Sequence, residues 1–298
     1  MQEGQTKTRK PWSQTKADFM VALISITWGS AYIMMKFGLD TIPPFSLIML
    51  RFGIAFICIV PFFLKELKKT TPRIIKKGII LGALLFGVFA FLLHGMETTT
   101  ASNAGFLIST TVVFVPLFHA IISRVIPDKK TVIGVVVTII GIGFLSLQES
   151  IAFHLGDILC LAGALTYTAF ILVTDVYSKD DDPLLLGIWQ LGFSAAFAVV
   201  CTFIFETPTL PSTGPEWAAI LGLALVCSAF CFVVQPIAQA YTTPEHTALL
   251  FSLEPVSTAA FAFVFLHEVL NTRGMIGAAL VLFGVLFASV QRTKKPAE

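Results

Sequence analysis

The chain has 298 residues, of which 56% are hydrophobic and only 13% charged, with a formal net charge of +2 and a mean hydropathy of +0.85. Soluble domains carry about 25% charged residues, and the 20 basic and 18 acidic side chains here are clustered, too few and too uneven to cover a soluble globule of this length. That composition excludes a soluble enzyme, a disordered chain and a nucleic-acid binder, and predicts an all-α polytopic membrane protein.

Residues 1–17 form a polar, basic tail with Lys7, Arg9, Lys10 and Lys16. The apolar run at 18–39 is too long for a signal h-region and shows no clear small-residue cleavage site, so it is expected to stay as the first span. A bilayer core of about 30 Å needs roughly 20 apolar residues per helix. Nine further segments meet or approach that: 44–64, 75–96, 100–123, 131–148, 155–177, 183–205, 216–240, 245–267 and 273–291. Glu97-Thr98-Thr99 divides the long run at 75–123. Thr242-Thr243-Pro244-Glu245 divides 216–267, because Pro does not continue a helix. A short tail, 292–298, ends the chain. Cys58, Cys160, Cys201, Cys227 and Cys231 all sit in apolar runs. Cys227 and Cys231 share a helix face, but no further Cys or His completes a metal cluster, so the cysteines read as packing residues, and no metal or cofactor is expected.

With the N-terminus inside, 17 of the 20 Lys and Arg fall on the inner side, and the outer loops hold only Arg273. The positive-inside rule then predicts both termini in the cytoplasm. The halves also resemble each other. A shift of 139 places Asp18 on Asp157, Thr27 on Thr166, Trp28 on Tyr167, Pro44 on Pro183 and Gly53 on Gly192. A shift of 143 places Thr99-Thr100 on Thr242-Thr243, Ser109 on Ser252, Gly134 on Gly277 and Gly141 on Gly284. Each repeat, 18–148 and 155–291, holds five predicted spans. An odd number starts the second copy on the opposite side, giving two inverted five-helix repeats with a substrate site expected near the midplane between them.

Several stretches resemble a known family. Trp28-Gly29-Ser30, Leu50-Arg51-Phe52 and above all Ala248-Leu249-Leu250-Phe251-Ser252-Leu253-Glu254-Pro255-Val256, followed by His267-Glu268 and Gly277 with Gly284, are similar to motifs of the drug/metabolite transporter superfamily, EamA type. The resemblance covers nearly the whole chain. It implies a permease, typically an exporter and sometimes an importer of amino acids, metabolites or drugs. It also implies a bacterial plasma (inner) membrane location and a cavity surrounded by spans 1, 3, 4, 6, 8 and 9. The first repeat departs from the pattern at Ser123-Arg124, where many relatives carry Gly-Glu, and at Val112-Val113, where a Pro is common. These motifs are mostly structural and do not name a substrate.

Within the spans, a carboxylate at Glu254, some 13 Å deep at 1.5 Å per residue, is costly unless paired, hydrated or protonated. It reads as a substrate-cation or proton-coupling group, or else as a structural pin, and Pro255 beside it removes a backbone donor that could free carbonyls for a cavity. Trp28 and Tyr167 occupy equivalent positions and are expected to face each other as an aromatic wall, with Tyr32 one turn from Trp28. Gln235, preferred over Gln239, completes the substrate-binding set of Trp28, Tyr32, Tyr167, Gln235 and Glu254. Arg51, whose repeat partner is Gln190, reads as scaffold polarity. Gly134, Gly141, Gly277 and Gly284 read as packing, between repeats or between the protomers of a homodimer. Asp18 and Asp157 read as residues opening their helices.

The function predicted is secondary active transport, with export favoured, of a small metabolite, amino acid or drug-like solute by alternating access; import of a cationic or amphipathic solute is the alternative. The chain contains no GxxxxGK[ST] run for ATP. A membrane enzyme would need convergent nucleophile, acid/base or metal groups, and none is visible. The partners expected are the lipid bilayer and a small-molecule substrate, with a proton as the coupling candidate and no nucleic acid.

Overall fold

The computed structural model describes residues 12–98, 101–124, 127–146, 155–266 and 272–289, and all regular secondary structure among them is helical. Proline opens many of the helices, since its missing N–H is one that a helix start leaves unbonded in any case. α1 (Gln14–Leu39) is capped by the Ser13 hydroxyl, which accepts from the Lys16 amide. α2 (Pro44–Ile59) passes through a 3-10 turn at Val60–Phe63, where Pro61 falls, into α3 (Leu64–Leu67). α4 (Pro72–Met96) starts at a Thr71 cap. α5 (Ala101–Ser109) and α6 (Thr111–Ser123) are separated at Thr110, and α6 ends at Arg124 in the left-handed region, φ 56°. α7 (Lys129–Ser146) follows.

The second half runs α8 (Leu155–Asp180) and α9 (Pro183–Phe205, capped by Asp182). α10 (Gly214–Leu221) opens on a Thr213/Glu216 capping box and continues through a π-helix at Gly222–Phe230 into α11 (Cys231–Gln239). α12 (Pro244–Phe251), α13 (Leu253–Leu266) and α14 (Thr272–Ser289) complete it.

Among the described residues, seven helical stretches are long and apolar enough to cross a membrane: 14–39, 44–67, 72–96, 155–180, 183–205, 214–239 and 244–265. The predicted spans at 100–123, 131–148 and 273–291 fall short of that among the described residues. Each of the three reaches residues outside the described set, and the shorter apolar helices described there include 107–123 and 272–287. Large apolar side chains such as Phe62, Ile57, Phe203 and Phe205 are more than two-thirds exposed around the bundle, the surface expected of a multi-pass membrane protein. The buried interior is a continuous apolar cluster built from both halves of the chain.

The helix pairings come in couples. α1 packs on α13, as α8 packs on α5 and α6; α4 packs on α8, as α1 packs on the 214–239 rod; and α4 packs on α9, as α2 packs on that rod's π-helix. Exchanging the halves converts one member of each couple into the other. α2 with α9, and α7 with α14, are their own partners. The α7–α14 seam uses the repeated glycines. A Cβ on Gly141 would stand 2.8 Å from the Gly277 carbonyl and 2.7 Å from the Val281 amide, and one on Gly284 would stand 2.8 Å from the Gly134 carbonyl. These four glycines pack repeat against repeat within one chain.

Candidate functional site

Trp28 and Tyr167 meet at the centre of the bundle, ring centroids 6.4 Å apart and edge to face. Two phenylalanines that sequence reading did not single out complete the cluster. Phe232 lies 4.8 Å from Trp28; Phe251 lies 5.0 Å from Trp28 and stacks on Tyr167 at 5.8 Å. Phe89 meets Phe232 edge to face at 6.0 Å, and the 143-residue offset makes these two repeat equivalents as well.

The local sequence explains why these rings are fixed. A proline lacks the N–H that would bond the carbonyl four residues earlier. Pro236 thereby strips the Phe232 carbonyl, and the Gln190 amide of α9 donates to it at 2.6 Å. Pro255 strips the Phe251 carbonyl, and the Ser25 hydroxyl of α1 donates to it at 3.0 Å. The carbonyl that Pro255 frees is therefore held by α1, and does not line a cavity as expected. In the π-helix, where the usual i to i−4 ladder is interrupted, the Trp28 indole N–H donates to the Cys227 carbonyl at 2.8 Å. Three side chains from the neighbouring helices α1 and α9 thus take up backbone groups that two prolines and a π-turn leave over.

These walls border a narrow cavity whose atom-free space, counting its open part, is about 390 Å³. It is lined by Trp28, Ala31, Tyr32, Met35, Arg51, Val88, Phe89, Leu92, Ile108, Tyr167, Phe232 and Glu254. Both repeats contribute. On α1 and α4 the lining lies in the half away from the N-terminal end of the bundle.

Glu254, half-buried in the first turn of α13, lines the cavity together with Tyr32. Its backbone carbonyl accepts from the Ser257 and Thr258 hydroxyls at 2.9 Å. Arg51 is 1% exposed. Its Nε donates to the Ser228 hydroxyl at 2.6 Å, Nη1 lies 3.4 Å from the Met35 sulfur, and the guanidinium sits 4.3 Å from the Phe89 ring centre. Trp28, Tyr32, Tyr167 and Glu254 are thus brought together, and Arg51 joins them.

Gln235 is not. It is fully buried, and its amide nitrogen donates to the Gln239 side chain at 3.2 Å, away from the cavity lining. Lys36 is exposed. Cys227 contacts the Ser30 hydroxyl and the Thr27 carbonyl, as a packing thiol does. Asp18 is not at the start of its helix, because α1 begins four residues earlier; it accepts from the Thr242 hydroxyl at 2.5 Å and pairs with His246 at 3.5 Å. His267 and Glu268 lie outside the described residues.

The sequence model of the EamA-like transporter family matches residues 15–147 and again 154–290. An uncharacterized transporter of Archaeoglobus fulgidus is 34% identical over 282 residues, covering 92% of this chain and 86% of its own. The uncharacterized transporter YoaV of Bacillus subtilis strain 168 is 27% identical over 89% of this chain and 94% of its own. A solved crystal structure shares the fold at TM-score 0.76, with 19% identity over 93% of this chain and 96% of that one. A match across both halves and a relative above 30% identity leave one assignment: this chain belongs to the EamA-like transporter family of the drug/metabolite transporter superfamily.

Proposed function

We propose that the chain is a secondary active transporter that exports a small amphipathic solute by alternating access. The observation that carries this reading is the cavity between the halves, where the repeat-equivalent Trp28 and Tyr167 meet beside the Glu254 carboxylate. An aromatic wall and a single carboxylate suit a solute with an apolar body and a polar or cationic head. The architecture proposed is ten spans in two inverted five-helix repeats, 18–148 and 155–291, between cytoplasmic tails 1–17 and 292–298 in the plasma membrane. The paired helix contacts and the basic residues gathered at one end support it. Glu254 is the proposed proton carrier, since it is the carboxylate on the cavity wall. A homodimer through the α7 and α14 glycines is not part of this reading, because those glycines are occupied within the chain.

The test is reconstitution in liposomes and counterflow of amino acids, cationic amines and common metabolites. Saturable exchange is expected for at least one class, with Trp28→Ala and Tyr167→Ala each lowering it tenfold or more in protein that still melts cooperatively. Exchange that ignores both substitutions would place the solute elsewhere. Uptake against efflux, measured with the protein in known orientation, fixes the direction.

A further inference from the structure

Arg51 is an unusual wall residue. A buried guanidinium normally pairs with a carboxylate or fills its fork with carbonyl oxygens. Here no Asp or Glu oxygen lies within 4.0 Å among the described residues, and the bonds made are one hydroxyl, through Nε, and one thioether, through Nη1. The flat face of the group is held by Phe89. These contacts fix its plane and its aim, and leave the outer edge of the fork without an oxygen partner beside the cavity that Arg51 lines. Glu254 lines the same cavity, beyond ion-pair contact with Arg51.

We propose that Arg51 is an anion subsite, and that the transported solute carries a carboxylate which bonds the guanidinium fork while its apolar body packs among Trp28, Tyr167 and Phe232. This rests on the reading of the cavity as the solute site. A carboxylate matches a planar fork with two parallel N–H···O bonds, and ammonium groups cannot. A phosphate dianion fits less well, since one guanidinium offers it too few donors and Glu254 on the same wall repels a second negative charge. Ser228, which fixes Nε, and Phe89 would then be positioning residues for that subsite.

The test uses the purified full-length protein and two matched series. One is L-phenylalanine with its decarboxylated amine 2-phenylethylamine and its deaminated acid 3-phenylpropionate; the other is L-leucine with 3-methylbutylamine and 4-methylpentanoate. Binding is read by thermal shift and by tryptophan fluorescence. In the wild type the carboxylate-bearing members should half-saturate at concentrations at least tenfold below the amines in one series or both. Arg51→Met should abolish that preference, and Arg51→Lys, which keeps the charge and loses the fork, should lose most of it. If Arg51→Met does not fold, Arg51→Lys decides.

The proposal is overturned if amines bind as well as acids in both series, if no probe binds, or if the preference survives in a folded Arg51 variant. Acid-selective binding without counterflow would instead count against the transport reading and leave the subsite standing.

Discussion

At the scale of single residues, Glu254 has the most to explain. A carboxylate in this setting costs several kcal/mol unless something compensates its charge. Tyr32 and Arg51 lie on the same cavity wall, Arg51 beyond ion-pair contact. In the alternating-access reading proposed above, such a group would change its environment as the cavity changed its opening, which is what a proton carrier needs. Glu254→Gln keeps the shape and removes the titration. Counterflow, which needs no net proton movement, should persist within about threefold, while uptake driven by an imposed pH gradient should fall by tenfold or more. Gradient-driven transport at the wild-type level in Glu254→Gln would remove Glu254 from the coupling.

At the scale of elements, the 214–239 rod is held by its neighbours more than by its own ladder. Its π-helix gives a carbonyl to Trp28 and a hydroxyl to Arg51, and Pro236 hands the Phe232 carbonyl to Gln190. The seam between α9 and α11 is close enough that a Cβ on Gly187 would lie 2.8 Å from the Val233 Cα. This arrangement makes a definite prediction. Gln190→Leu strands a buried carbonyl and should cost about 1–3 kcal/mol of stability. Pro236→Ala restores an N–H at 236 that can bond the same carbonyl within the helix. In that background Gln190→Leu should cost at least about 1 kcal/mol less, read as a double-mutant cycle on melting in detergent. Strict additivity would mean that Gln190 acts some other way.

The same elements show what the sequence made legible. Trp28 and Tyr167 stood out because tryptophan and tyrosine are rare here, four of each, and a constant offset joined them. Phe232 and Phe251 were hidden among 28 phenylalanines. Their signal was the proline four residues downstream of each, which fixes the backbone of the ring-bearing residue without marking the ring. Gln235 misled because a buried amide beside a proline looks like a ligand group, whereas its partner is the next amide one turn along. The α5–α6 break at Thr110 carried no proline or glycine to announce it.

At the scale of the whole molecule, the cavity lies away from the N-terminal end, and that end is bridged by contacts between the halves. Asp18 of α1 binds Thr242 and His246 at the start of α12; Gln14 also reaches His246; His119 at the end of α6 pairs with Glu245; and Trp12 stacks on Tyr241. Beneath them Ala17, Val21, Ile24 and Leu249 are fully buried. Sequence reading placed the basic residues at this end but gave Asp18 only a local capping role, because no local pattern reveals a partner 224 residues away.

If the halves exchange conformations during transport, these ties must break each time this end opens. A hydrogen bond to a carboxylate contributes about 1.5–3 kcal/mol, and about 1.4 kcal/mol is a tenfold change in population. Removing two of them, with Asp18→Asn and Glu245→Gln together, should shift the resting population toward the form open at this end by about tenfold or more. The measurement is the labelling rate of Val21→Cys by a membrane-impermeant maleimide, in protein whose native cysteines are replaced. The rate should rise at least tenfold in the double variant and be slowed again by saturating solute if the solute favours the closed form. A lowered melting temperature with no faster labelling would show that these contacts only stabilise the bundle and do not gate it.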